Sequence, residues 1–350
     1  MFQKKIDRRR AIKIVAFGLA SSVVAPGTLL RAKTAQKPVW HKWEGEVLGA
    51  VSSIELHSPD KAFAENLISK CVEEMQRLES IFSLHQSNSQ ISRLNTVGKL
   101  KDPAPEMVSL LNLSNRIHRD TDGAFDITVQ PLWSVYADHF FKKDKPSPKE
   151  QLTKGALAAE TITKALRLVD QSALDVSNSE VRFKKTGMAM TLNGVAQGFV
   201  TDQITKILKS NGIRDVIVDL GEIVAMGRNE KNTPWTVGLL NPDAPLQVSA
   251  EIELSNMGLA TSGGYGLEFG DEGTANHIFN PKTGHSPRYY KSVSVVAQSA
   301  AVADALSTGL TVMPENEIGI VVKKYKAGAL LTRLDGSTKS YGPFPKVHHI

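Results

Sequence analysis

Residues 191–227 read TLNGVAQGFVTDQITKILKSNGIRDVIVDLGEIVAMG, and no other stretch limits the architecture as tightly. It opens on a glycine-punctuated turn, Asn193-Gly194-Val195-Ala196-Gln197-Gly198. A helix pattern follows, with Phe199, Val200, Ile204, Ile207 and Leu208 on one face. Asn211-Gly212 stops it, because both residues tolerate the left-handed conformation of a helix C-cap. Val216, Ile217 and Val218 form a short β-branched strand, and Gly221 turns the chain into a second, Ile223 to Met226. A glycine turn feeding a helix exposes backbone N–H groups and the positive end of the helix dipole, which suits a phosphate. It equally suits a loop whose glycines only permit tight packing, and this stretch alone leaves both readings open.

Around this centre the chain alternates helices and strands without a strict βαβ order. Trp43 to Leu56 reads as a strand, and Asp60 caps a helix over Lys61 to Ser80. Gln86 to Gln90 is a polar turn, and a second helix runs from Ala104 to Asp120 and stops at Asp122-Gly123. Ala124 to Thr128 is a turn, and Pro131 begins another helical stretch. Phe140 to Gln151 reads as a solvated surface loop, and Thr161 to Val169 as a helix before short strands around Asp175 and Arg182. Beyond residue 227 strands dominate: Trp235 to Leu240, Leu246 to Leu254, Gly258 to Ala260 and Ser292 to Ala297. Thr261 to Gly266 reads as a second glycine-rich turn, and Asn276 to Gly284 as a third polar one. Ala300 to Met313 is a small-residue helix, and a strand pair, Ala329 to Leu334 and Ser340 to Tyr341, closes the chain. The expected fold is α+β, with helices packed on largely antiparallel sheets.

Residues 1–35 stand apart. Asp7-Arg8-Arg9-Arg10-Ala11-Ile12-Lys13 resembles a twin-arginine export signal, and the apolar run Ile14 to Ala25 is too short to span a bilayer. Eight basic residues against Asp7 make this segment +7 within a chain total of +6, leaving about −1 for the rest. No basic patch for nucleic acid is therefore expected. The leader predicts a periplasmic protein, or one tethered to the inner membrane where the leader stays uncleaved. Residues 36–350 are read as a single domain. The one cysteine, Cys71, lies in a helix pattern and reads as a small buried apolar residue.

Asp304 and Thr308, four apart on a helix pattern, share a face and offer two oxygen ligands of the kind Mg2+ takes. Several of the turns match one family in order and spacing. Ser83 to Asn95, Gly123 to Thr128, Gly194 to Asp202, Ala260 to Tyr265, His277 to Gly284 and Ala303 to Thr308 together resemble the ApbE-type FAD:protein FMN transferases. The resemblance implies two subregions with FAD in the cleft between them. It implies cleavage of the FAD pyrophosphate with Mg2+, transfer of FMN to a Ser or Thr hydroxyl of a target protein, and release of AMP. It assigns metal binding to Asp304, Thr308 and the Gly194 carbonyl, and places His277 at the reacting phosphate as the base. FAD contacts are implied at Leu48, His85, Ala124, Phe125, Asp126, Thr191, Gln197, Thr261, Ser262, Gly263 and Arg288.

The chain departs from the family pattern in places. Thr191 stands where the family usually has Asp, Gln197 where it has Lys, and His85 where a tyrosine is common. Leu48-Gly49-Ala50 replaces the usual Met-Gly-Thr. These changes keep two further readings open: a non-catalytic FAD-binding assembly factor for a periplasmic respiratory flavoprotein, and a hydrolase that splits FAD with water. Exported relatives of this kind serve membrane respiratory flavoproteins, including one supporting nitrous oxide reduction, and the leader makes such an acceptor the expected partner.

Overall fold

The computed structural model describes residues 39–141, 157–269 and 275–350. The leader and the 142–151 stretch of the expected surface loop lie outside these residues.

In chain order, Val39–Val47 (β1) and Ala50–Ser58 (β2) precede Lys61–Phe82 (α1), Gln90–Val97 (α2) and Lys99–Lys101 (β3). Pro105–Asp120 (α3), Gln130–Phe141 (α4) and Ala159–Leu166 (α5) follow, then Leu174–Val176 (β4) and Glu180–Phe183 (β5). The central stretch forms Ala196–Ser210 (α6), Val216–Asp219 (β6) and Ile223–Met226 (β7). Trp235–Asn241 (β8), Ala244–Leu254 (β9), Met257–Gly263 (β10), Glu268–Phe269 (β11) and Ala275–Asn276 (β12) come next. Tyr290–Ala297 (β13), Ala300–Val312 (α7), Glu315–Lys324 (α8), Gly328–Arg333 (β14), Thr338–Tyr341 (β15) and His348–His349 (β16) complete the chain.

One eight-stranded sheet, in the order β1-β2-β6-β7-β10-β13-β14-β15, is antiparallel at every step. Both of its faces are covered, and the strand sequences show it. Val216 and Val218 pack into the core under α1, α6 and α7, while Ile217 between them joins Trp235, Val237 and Ile252 of the β16-β9-β8 sheet on the far face. A smaller core gathers Leu132, Tyr136, Ile162, Phe269 and Phe279, and Tyr136 donates to the Gly284 carbonyl at 3.2 Å. That bond fixes the 280–284 turn against α4.

The α+β reading with antiparallel sheets holds. Four local expectations give way. Trp43 to Leu56 is two strands, because Leu48 and Gly49, with φ of 48° and 77°, turn the chain between Val47 and Ala50. Thr261 to Gly263 continue β10 through pairing with Ser294 to Ser292 of β13, so only Gly264 to Gly266 form a turn. Gln90 lies in α2, which Ser89 caps by accepting from the Ser92 N–H. Phe140 and Phe141 complete α4, since Phe140 packs within 6.0 Å of the Phe269 ring.

Candidate active site

Helix α7 is buried almost all round, and its residues are small: Ala300, Ala301, Ala303, Ala305, Ser307 and Gly309. Small side chains let it lie close to both the sheet and α6. At the α6 contact, a Cβ on Gly198 would stand 2.3 Å from the Ala300 carbonyl oxygen, so only glycine fits. Two carboxylates lock this crossing, each capping the other helix. Asp304 of α7 accepts the Gly198 N–H at 3.1 Å. Asp202 of α6 accepts the Ala300 and Ala301 N–H groups at 2.8 and 3.0 Å and the Ser299 hydroxyl at 2.6 Å. Free N–H groups at a helix start favour an anion, which suits a carboxylate at each of these two places. Burial pushes the Asp202 carboxyl up, and these three donors pull it back.

The crossing sets the geometry of the predicted metal ligands. A Cβ on Gly194 would lie 2.9 Å from Thr308 Oγ1, so the glycine turn rests directly on the hydroxyl. Asp304 sits one turn earlier on the same helix, 3% exposed. Ser262 of β10 reaches the same place, with its Oγ 3.2 Å from Thr308 Oγ1 and 2.8 Å from Ser307 Oγ. One carboxylate, two or three hydroxyls and the backbone of residue 194 are all oxygen donors. Such a set fits Mg2+, which takes few protein oxygens and completes its shell with phosphates and water. Among the described residues no three His, Cys, Asp or Glu side chains gather as a metal cluster.

Beside this corner lies a recess lined by Leu48, Phe82, Ser83, Leu84, His85, Asn193, Ala196 and Gln197. The structure thus brings Leu48, His85 and Gln197, far apart in sequence, to one cavity next to the glycine turn. Gln197 is held from behind, for a Cβ on Gly221 would be 2.6 Å from its Nε2 and 3.1 Å from Ala50 Cβ. In the same β6–β7 turn, the Gly221 N–H donates to Asp219, whose carboxyl burial pushes up to about 7. Burial and the nearby Glu222 push the Tyr265 hydroxyl up to about 12.

The remaining predicted residues fall into three groups. Phe125 is buried against α7, where a Cβ on Gly309 would lie 3.1 Å from its Cβ, and Ala124 packs at the edge of the same core. Asp126 is turned inward: it accepts from the Thr128 N–H at 2.7 Å and the Gln171 N–H at 3.3 Å, and lies 3.5 Å from His118 Nδ1. Burial raises its carboxyl against those donors. Thr191 runs alongside, donating its N–H to the Ile127 carbonyl at 2.8 Å. His277 stands at the other side, its N–H donating to the Leu267 carbonyl at 3.0 Å, next to the turn that follows Gly263. A Cβ on Gly263 would meet the Tyr265 ring at 2.3 Å, which closes β10 tightly. Thr261 points away from Ser262, as strand alternation requires, and pairs its hydroxyl with Ser294 at 2.8 Å. Arg288 is exposed, on the segment between the 280–284 turn and β13.

Three residues that hold this site were not singled out from the sequence. Asp202 carried a weak signal, being the one acid of its helix and one turn past Gly198. Ser307 gave none beyond its place between two ligand candidates. Glu79, which accepts the Leu48 N–H, gave none, because its partner is a backbone group 31 residues away.

Known proteins resemble this chain along most of its length. An FAD:protein FMN transferase of Haemophilus influenzae is 30% identical over 278 residues, covering 76% of this chain and 78% of its own. One from Escherichia coli strain K12 is 27% identical over 308 residues, covering 85% and 86%. In fold, the flavin transferase ApbE from Vibrio cholerae matches with a TM-score of 0.74 at 23% identity, over 87% of this chain and 97% of that one. The apo flavinyl transferase ApbE of Pseudomonas stutzeri matches with a TM-score of 0.71 at 24% identity, over 87% and 96%. The ApbE family model covers residues 48–331, from the tip of the first hairpin to the middle of β14, and the chain belongs to that family.

Proposed function

We propose that this chain transfers FMN from FAD to a Ser or Thr hydroxyl of an acceptor protein and releases AMP. The observation that carries the reading is the contact of the Gly194 turn with Thr308, with Asp304 one turn earlier on the same helix holding the Gly198 N–H, beside the Leu48–His85–Gln197 recess. In the reaction the acceptor oxygen attacks the phosphorus on the FMN side. The bridging P–O bond breaks, AMP leaves with the bridging oxygen, and the acceptor proton passes to a base.

Asp304, Thr308 and the Gly194 carbonyl are the residues that would hold Mg2+. Held by these three groups, a metal would supply positive charge against the charge that develops on the pyrophosphate oxygens. Ser262, with its hydroxyl against Thr308, fits a phosphate-facing donor. The recess, with a volume of about 10 Å³, is too small to enclose the flavin, which would lie across its mouth against Leu48, His85 and Gln197. His277 takes the acceptor proton, as a neutral imidazole can near pH 7. The leader motif at Arg8-Arg9-Arg10 supports export to the periplasm and, with it, a respiratory flavoprotein as acceptor.

A second reading has one observation in its favour. Gln197 and Thr191 are neutral where a charged pair would grip the nucleotide, which suits a protein that holds FAD without cleaving it. Chromatography of the nucleotides after incubation with FAD, Mg2+ and an acceptor domain separates the possibilities. Transfer predicts AMP without free FMN, hydrolysis predicts both, and simple binding leaves FAD intact.

A further inference from the structure

Leu48 is an unexpected residue where it stands. It and Gly49 form a two-residue hairpin turn with positive φ at both positions, 48° and 77°. Such turns favour Asn, Asp or Gly first, because a larger side chain crowds its own backbone there. A strained non-glycine residue persists where surrounding structure holds it, and such strain clusters at ligand sites. Here the holder is visible. Glu79, in the last turn of α1, accepts the Leu48 N–H with Oε1. Four residues on, α1 ends at its C-cap Ser83, and Phe82, Ser83, Leu84 and His85 turn into the recess. The Glu79 side chain therefore ties the hairpin tip to the helix end that carries the facing wall. Its carboxylate serves a backbone amide, which needs an acceptor and not a charge.

We propose that Glu79 is a positioning residue for the flavin nucleotide, clamping Leu48 in its left-handed conformation so that the Leu48 side chain forms one wall of the recess. The inference rests on the FAD reading above for the identity of the ligand, but not for the clamp itself. Two measurements separate these. Amide hydrogen exchange on the hairpin-tip peptide needs no ligand. Protection is expected in the wild type and in Glu79→Gln, whose amide oxygen still accepts, and loss of protection in Glu79→Ala. Flavin fluorescence titration then reads FAD affinity. Glu79→Ala is expected to weaken it roughly fivefold to tenfold, the range for losing one ordinary hydrogen bond, while kcat at saturating FAD stays within about twofold. Glu79→Gln is expected to stay within about twofold of wild type. In a Leu48→Gly background, where positive φ carries no strain, Glu79→Ala is expected to cost little more.

Unchanged hairpin exchange in a folded Glu79→Ala overturns the clamp. Unchanged FAD affinity there, an equal loss in Glu79→Gln, or an equal penalty in the Leu48→Gly background overturns the positioning role. A wild-type protein that binds no FAD sinks the functional reading and the positioning role with it, while the exchange result still decides the clamp.

Discussion

Replacing Gly198 by alanine sets two effects against each other. Helix propensity alone predicts stabilisation of about 1 kcal/mol, since Gly198 is the third residue of α6 and alanine is the better helix former. The crossing predicts the reverse. The new Cβ would stand 2.3 Å from the Ala300 oxygen, 2.5 Å from its carbonyl carbon and 2.8 Å from Ala301 Cα. All three are backbone atoms of α7, so no side chain can swing aside. Contact at about 3.5 Å requires the helices to part by roughly 1 Å. Overpacking of this kind costs typically 1–3 kcal/mol, and the parted helices also lose the Asp304–Gly198 bond, about 1 kcal/mol or more. The net expectation is destabilisation of about 1–3 kcal/mol, a fall in melting temperature of several degrees. The same movement draws Thr308 away from the Gly194 turn, so Mg2+ affinity should fall more than stability does. Calorimetric melts with and without Mg2+ check both. A Gly198→Ala protein that melts higher than wild type, with Mg2+ affinity unchanged, would refute the packing argument.

Three further outcomes follow from the same geometry. Asp202→Ala strands the Ser299 hydroxyl and two α7 N–H groups, and should cost about 2–4 kcal/mol in chemical denaturation, with Asp202→Asn recovering part of it. Asp219 is a carboxyl whose folded value lies near 7, above its ordinary 3.8, so between these values the folded state holds a proton that the unfolded state has released. Its contribution is thus present near pH 4 and lost as pH rises through 7; Asp219→Asn, compared with wild type by denaturant melts, should gain relative stability across that window and match it near pH 4. Burial pushes the Cys71 thiol up to about 12, so a thiol reagent at pH 8 should label it only after denaturation.

What the sequence made legible follows the range of the interactions. The α6–β6–β7 unit was readable because its signals are local: a 3.6-residue apolar period, an Asn-Gly stop, β-branched runs and Gly221. The neighbourhood of Asp304 and Thr308 was readable because four residues on a helix always share a face. The β1–β2 hairpin was hidden because Leu48 stands where a turn residue belongs, held there by a distant carboxylate. Thr261 to Gly263 resembled a turn because glycine and serine are small, yet β13 supplies the pairing that makes them strand. Helix α8 went unread because Gly319 and the run Ile320-Val321-Val322 weaken its local helix signal, and packing of Ile318, Val321 and Val322 decides it. The inward turn of Asp126 was equally invisible, since Gln171 and His118, its partners, approach only in the folded chain.

The oxygens of Gly194, Asp304 and Thr308 are expected to support transfer of FMN to a protein hydroxyl. Intact-mass analysis of an acceptor domain, after incubation with FAD, Mg2+ and this protein, tests it most directly. The acceptor should become heavier by one esterified FMN with the wild type, and should gain nothing with Asp304→Ala or with chelator present. An acceptor that gains no mass with the wild type under any divalent metal, or gains it equally with Asp304→Ala, would rule out this role for the three oxygens.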